Sequence, residues 1–123
     1  MSRALKTTFL VHAGVALIFG LLLLLIPGRL MTWAGWAPID PIMGRLLGAA
    51  MLALAWSSFR GWRAQARSEV ALQIELEAVY TVLACVGLLR HLLFGHWPLF
   101  PWLVLALYAV FAVAWIYFLV KRD

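Results

Sequence analysis

The chain has 123 residues, 66% of them hydrophobic and 12% charged, and carries a formal net charge of +5 from ten basic and five acidic side chains. That composition excludes an ordinary soluble globular protein and implies an integral membrane protein with length for one domain. The basic residues sit at the ends of apolar runs and form no patch, which speaks against nucleic acid as a partner, and a single cysteine, Cys85, excludes an intrachain disulfide.

The first predicted span runs from about 7 to 26. Arg3 and Lys6 ahead of it resemble the basic start of a signal peptide. About 20 apolar residues match a full bilayer crossing, against about 7–15 for a cleavable segment, so a retained span is expected. Within it His12, Ala16 and Gly20 share a four-residue ladder, the spacing of a close helix contact with the imidazole hydrogen-bonded across it. Pro27-Gly28 is read as the stop, and 28–41 as a connection whose Trp33 and Trp36 suit the headgroup level.

Asp40-Pro41 predicts a helix start, since aspartate caps free amides and proline at the first helical position gives up no hydrogen bond. The second span is placed at about 42–59. Gly44 and Gly48 form a GxxxG pair for close helix packing, with Ala49, Ala53, Ser57 and Gly61 on a neighbouring face. A basic connection with Arg60, Arg63 and Arg67 leads to the third span at about 71–93, and the fourth, about 99–120, ends at Lys121-Arg122. Seven basic residues (Arg3, Lys6, Arg60, Arg63, Arg67, Lys121, Arg122) mark one side and three (Arg29, Arg45, Arg90) the other. The expected fold is thus all-α, a single domain over 1–123 forming an integral membrane bundle of four transmembrane helices with both termini cytoplasmic. Trp33, Trp36, Trp97 and Trp102 are assigned to an outer aromatic belt, and Trp62, Trp115 and Tyr117 to an inner one.

The third span holds the candidate chemistry. Its uncharged part, Ala78 to Leu89, covers about 18 Å of a core roughly 30 Å thick, which leaves Glu75 and Glu77 near one boundary and Arg90 near the other. Two residues apart on a helix means about 200° of rotation, so the two glutamates face opposite ways. Glu77 falls on a stripe with Gln73, Tyr80, Thr81, Ala84 and His91 that suits a bundle interior. Glu75 falls with Val79, Val82, Val86 and Arg90, a stripe directed to lipid or a partner. Glu77 reads as a proton- or cation-coupling carboxylate, or, more simply, as an interfacial ion pair with Arg60, Arg63 or Arg67; Glu75 is a candidate ion pair for Arg63 or Arg67.

No haem or metal site is expected. His12 lies at one depth and His91 and His96 at another, so they cannot flank one porphyrin, and His91, His96 and Asp40 lack a recognisable ligand spacing. No nucleophile stands beside a base and no glycine loop cradles phosphate, so no catalytic residue is assigned and the chain alone is expected to bind no cofactor.

Ile26-Pro27-Gly28, followed by Arg45-Leu46-Leu47-Gly48-Ala49-Ala50, resembles bacterial four-span proteins of the DoxX-like and related uncharacterised families. The resemblance implies a bacterial inner-membrane protein beside quinone-linked redox machinery, without naming a catalytic residue. Small multidrug transporters share the size and span count but rely on a glutamate in the first span, where this chain has no acidic residue. The leading expectation is a non-catalytic accessory or structural subunit of a larger membrane complex, in contact with lipid and with other membrane subunits or copies of itself. The alternatives are a homo-oligomeric proton-coupled transporter or channel using Glu77, and a lipid- or quinone-binding protein with a cleft lined by Tyr80, Trp56 and Trp115.

Overall fold

The structure, a computed structural model, describes residues 1–121. Arg122, counted above among the basic residues, lies outside them. Five α-helices follow one another: α1 (Arg3–Leu25), α2 (Pro27–Ala34), α3 (Pro41–Arg63), α4 (Ala71–Leu92) and α5 (Leu99–Val120), with a 3-10 turn at Arg67–Glu69. The four long helices are each long and apolar enough to cross a membrane, which makes this an all-α, multi-pass membrane protein. At 1.5 Å per residue, 22 or 23 residues span about 33–35 Å against a hydrocarbon core of roughly 30 Å.

The chain forms two compact units, Met1–Ala64 and Gln65–Asp123. The first is an antiparallel pair of α1 and α3 with α2 across its connected end. The buried residues of α1 are Leu5, Phe9, His12, Ala13, Ala16, Gly20 and Leu23, an alternation of three- and four-residue steps that holds one face toward α3. On α3 the buried positions are Gly44, Gly48, Ala55, Ser58 and Gly61. Ala49 and Ala53, expected to continue a packing face, are exposed. A strict four-residue ladder rotates by about 40° per step and leaves the interface, whereas mixed three- and four-residue steps stay on it.

The helices of this unit meet at glycine. A Cβ built on Gly48 would lie 2.5 Å from the Leu24 amide nitrogen and 2.8 Å from the Gly20 carbonyl oxygen, and one on Gly20 would lie 3.1 Å from the Gly48 carbonyl oxygen. Ala16, one turn before Gly20, is buried on the same face. Gly44 gives room to Pro27, whose Cβ lies 2.9 Å from the position a Cβ would take.

Pro27 does more than end the first span. The helix breaks at Ile26, which has φ −137° and ψ 53°, and Pro27 then occupies the first position of α2, where its missing N–H is no loss. The expected open connection is therefore partly helical. Gly35 closes α2 at φ 64°, the left-handed conformation that favours glycine, with its amide donating to the Thr32 carbonyl and that of Trp36 to the Met31 carbonyl. Asp40 Oδ1 then accepts from the amides of Ile42 (2.9 Å) and Met43 (3.1 Å) to start α3, as the Asp40-Pro41 pair predicts. α3 runs a full turn past the predicted end, through Arg60 and Arg63, because cations are favourable at the negative end of a helix dipole.

The second unit is the antiparallel pair of α4 and α5. α4 buries Ile74, Glu77, Ala78, Thr81 and Leu92, and α5 buries Pro101, Phe111, Ala112, Trp115 and Phe118. Trp115 is wholly buried and so belongs to the packed interior, not to an aromatic belt. Its length and full burial near the end of α5 make it a core anchor.

Candidate functional site

Polar side chains inside apolar helices need partners, because lipid offers none. In the first unit His12 and Ser58 supply each other: Nδ1 and Oγ are 2.8 Å apart and both side chains are buried. They stand at the level where the three- and four-residue steps of α1 and α3 bring one face of each together. A hydroxyl beside an imidazole is also the pairing of a nucleophile with its base, but Ser58 is 0% exposed, leaving no approach for a substrate carbonyl. The pair therefore works as a polar bond between helices. The ladder of His12, Ala16 and Gly20 predicts a cross-helix hydrogen bond without fixing its partner, which is Ser58, 14 residues, or two heptads, beyond Gly44.

In the second unit α4 presents Glu77 and Thr81 inward, both 0% exposed, with Gln73, Tyr80 and Ala84 half-buried beside them. Thr81 Oγ1 donates to the carbonyl of Glu77 (2.7 Å) and approaches that of Ala78 (3.3 Å), which satisfies the hydroxyl within its own helix. Gln73 Nε2 is buried without a hydrogen-bond partner among the described residues. Tyr80 reaches α5, where its hydroxyl lies 2.9 Å from that of Tyr108, the rings meeting edge to face with centroids 5.8 Å apart. Tyr108 carries the only hydroxyl in the middle of the fourth span, a signal that marks its turn, but its pairing with Tyr80 depends on how α4 and α5 dock. His91, assigned to the inward stripe, is exposed and its ring packs against Trp97 with centroids 4.5 Å apart.

The opposite face of α4 is open. Glu75, Val79, Val82, Val86 and Arg90 are all exposed. Neither Glu75 nor Arg90 makes an ion pair or hydrogen bond among the described residues. The expected pairing of Glu75 with Arg67 is corrected: Arg67 donates through Nη1 to the Lys121 carbonyl (2.8 Å) and through Nη2 to that of Phe118. The last carbonyls of α5 have no intrahelical donor, and a guanidinium in the turn before α4 answers them. Arg45 repeats the device in the first unit, with Nη1 3.3 Å from the Leu24 carbonyl at the end of α1. Neither role is readable from the sequence, because each depends on which helix end the fold places beside the arginine.

Comparison with protein-family models, with curated proteins and with solved structures finds no match to this chain. Among the described residues no three His, Cys, Asp or Glu side chains gather as metal ligands would. Of the three residues expected to line a lipid or quinone cleft, Trp56 is 63% exposed, Trp115 is buried, and Tyr80 is engaged with Tyr108. A groove of about 600 Å³ does occur in the first unit, at the α2 end, lined by residues that include Arg29, Thr32, Trp33, Trp36 and Pro38.

Proposed function

We propose that this protein is a non-catalytic subunit of a larger membrane assembly, held in the bacterial plasma membrane with both termini cytoplasmic. The observation that carries the reading is the outer stripe of α4. A carboxylate at Glu75 and a guanidinium at Arg90 lie exposed at either end of a row of valines, with no partner for either charge among the described residues. Ionisable side chains within spanning helices are expensive in lipid and face other protein or water. A neighbouring helix with a cation opposite Glu75 and an anion opposite Arg90 would answer both. The resolved polar pairs inside each unit support the same view, since His12 with Ser58 and Tyr80 with Tyr108 bond helix to helix. The excess of basic residues on one side supports the orientation. A place beside quinone-linked redox machinery is the specific form of the proposal, supported by the DoxX-like resemblance of Ile26-Pro27-Gly28 and Arg45 through Ala50.

A photocrosslinking residue at Val82 in native membranes tests this. The expected result is one defined membrane-protein adduct from Val82 and none from Val113, an exposed position on α5. A monodisperse, lipid-only particle in mild detergent with no adduct at Val82 refutes it.

A second reading is favoured by one observation, the complete burial of Glu77 within a spanning helix. In it Glu77 is the coupling carboxylate of a homo-oligomeric proton-linked transporter or channel. Glu77→Gln then abolishes flux in proteoliposomes without loss of fold; an unchanged flux, or no flux in the parent protein, removes it.

A further inference from the structure

The groove at the α2 end has a chemistry of its own. It lies between the last residue of α1, Leu25, and the first of α3, Pro41, so the membrane placement of those two helices sets it at the bilayer boundary. Its volume of about 600 Å³ falls within the range of about 300–1,000 Å³ usual for small-ligand sites. One wall carries Trp33, 68% exposed, and another Trp36 and Pro38. Amphipathic indoles settle at the level of lipid headgroups.

Charge decides what such a groove accepts. Arg29 lines it, is exposed, and makes no hydrogen bond or ion pair among the described residues. The acidic residue of the same connection, Asp40, holds the amides of Ile42 and Met43 with Oδ1, and the other arginine at this end, Arg45, bonds the Leu24 carbonyl. Arg29 also sits in the first turn of α2, where an acidic side chain is favoured and none is present, so its charge adds to the positive end of the helix dipole. The groove thus presents the exposed Arg29 cation flanked by indole at headgroup depth, while the carboxylate of Asp40 is turned through Oδ1 to the start of α3.

We propose that this groove is a binding site for an anionic phospholipid, whose phosphodiester is held by the Arg29 guanidinium while the glycerol backbone and upper acyl chains lie against Trp33 and Trp36. The inference rests on the membrane placement of α1 and α3 and is independent of the subunit reading. Phosphatidylcholine offers the same phosphodiester but brings a choline ammonium beside the guanidinium, and that like-charge repulsion predicts a preference of about tenfold for an anionic over a zwitterionic lipid of the same chains.

The full-length protein, purified with equal amounts of chain-matched phosphatidylglycerol and phosphatidylcholine, is examined by native mass spectrometry. The parent is expected to retain phosphatidylglycerol about tenfold over phosphatidylcholine. Arg29→Gln is expected to bring the ratio close to one, and Arg29→Lys to keep part of it, because an ammonium retains the charge but not the planar fork. Arg60→Gln, at the other end of the same helical pair, is expected to leave the ratio unchanged. Millimolar inorganic phosphate should not displace the lipid, since it supplies the anion without the apolar contacts. Equal retention of both lipids by the parent, a ratio unmoved by Arg29→Gln, an equal loss in Arg60→Gln, or displacement by inorganic phosphate overturns the proposal. Arg29 makes no hydrogen bond or ion pair among the described residues, so Arg29→Gln is expected to unfold at the parent's midpoint. Arg29→Glu gives a second reading: it should invert the preference toward phosphatidylcholine, and failure to do so also counts against the site.

Discussion

The crossing of α1 and α3 makes a quantitative prediction about Gly48→Ala. The added Cβ would stand 2.5 Å from the Leu24 nitrogen, 2.8 Å from the Gly20 oxygen and 3.0 Å from the Leu23 carbonyl carbon, all backbone atoms of a regular helix that cannot rotate aside. Restoring the nearest of these to an ordinary 3.4 Å requires the helices to part by close to 1 Å. A gap of about 0.5–1 Å forfeits roughly a quarter to a half of the attraction of each atom pair it opens. Overpacking of this kind typically costs about 1–3 kcal/mol, while alanine regains up to about 1 kcal/mol of helix propensity, so a net loss of about 1–2 kcal/mol is expected. Gly14→Ala supplies the control, because nothing lies within 4 Å of a Cβ there and only the propensity gain of up to about 1 kcal/mol remains. Gly20→Ala falls between the two, since its closest neighbours are the Cγ and Cδ2 atoms of Leu52, at 2.9 Å, on a side chain that can turn. Reversible unfolding by SDS titration in mixed micelles should therefore order the midpoints Gly14→Ala, parent, Gly20→Ala, Gly48→Ala, from most to least stable. A Gly48→Ala midpoint at or above that of Gly14→Ala refutes a backbone-to-backbone crossing.

Three further outcomes are expected. A double-mutant cycle on His12→Ala and Ser58→Ala, read by the same titration, should return a coupling of about 0.6 kcal/mol, up to about 1.7, the range for hydrogen bonds between membrane helices; additive losses would show that the pair does not hold α1 to α3. Tyr80→Phe and Tyr108→Phe should each cost about 0.5–1.5 kcal/mol, and the double variant no more than the larger single loss, since either change removes the same bond and keeps the ring contact. Arg67→Ala should speed amide hydrogen exchange in the last turn of α5 and leave the middle of that helix unchanged, with Arg67→Lys intermediate because it cannot fork to two carbonyls; uniform acceleration along α5 would contradict a local capping role.

Much of this architecture is legible in one dimension because its causes are local. Four apolar runs of bilayer length dictate four long helices, and Asp40-Pro41 announces the start of α3 through an oxygen that caps amides two and three residues away. The opposite orientation of Glu75 and Glu77 follows from helical rotation alone, and their exposure and burial agree with it. The Pro27 segment is less legible, because a proline both ends one helix and starts another, and only the turn at Ile26 tells which.

What the chain alone determined is therefore the inventory: helices, their inward stripes, and the residue types that let two of them approach. The tertiary structure decided the partners. Whether Gly20 meets Gly48, whether His12 finds Ser58 across 46 residues, and whether Arg67 serves a glutamate or the carbonyls ending α5 all depend on the register in which antiparallel helices dock. Register is set by the sum of many small packing terms over a whole interface, so no single residue announces it. The same reason leaves Arg29 visible in sequence as an ordinary basic residue, and in three dimensions as the one cation, among the described residues, lining the groove at the end of its unit.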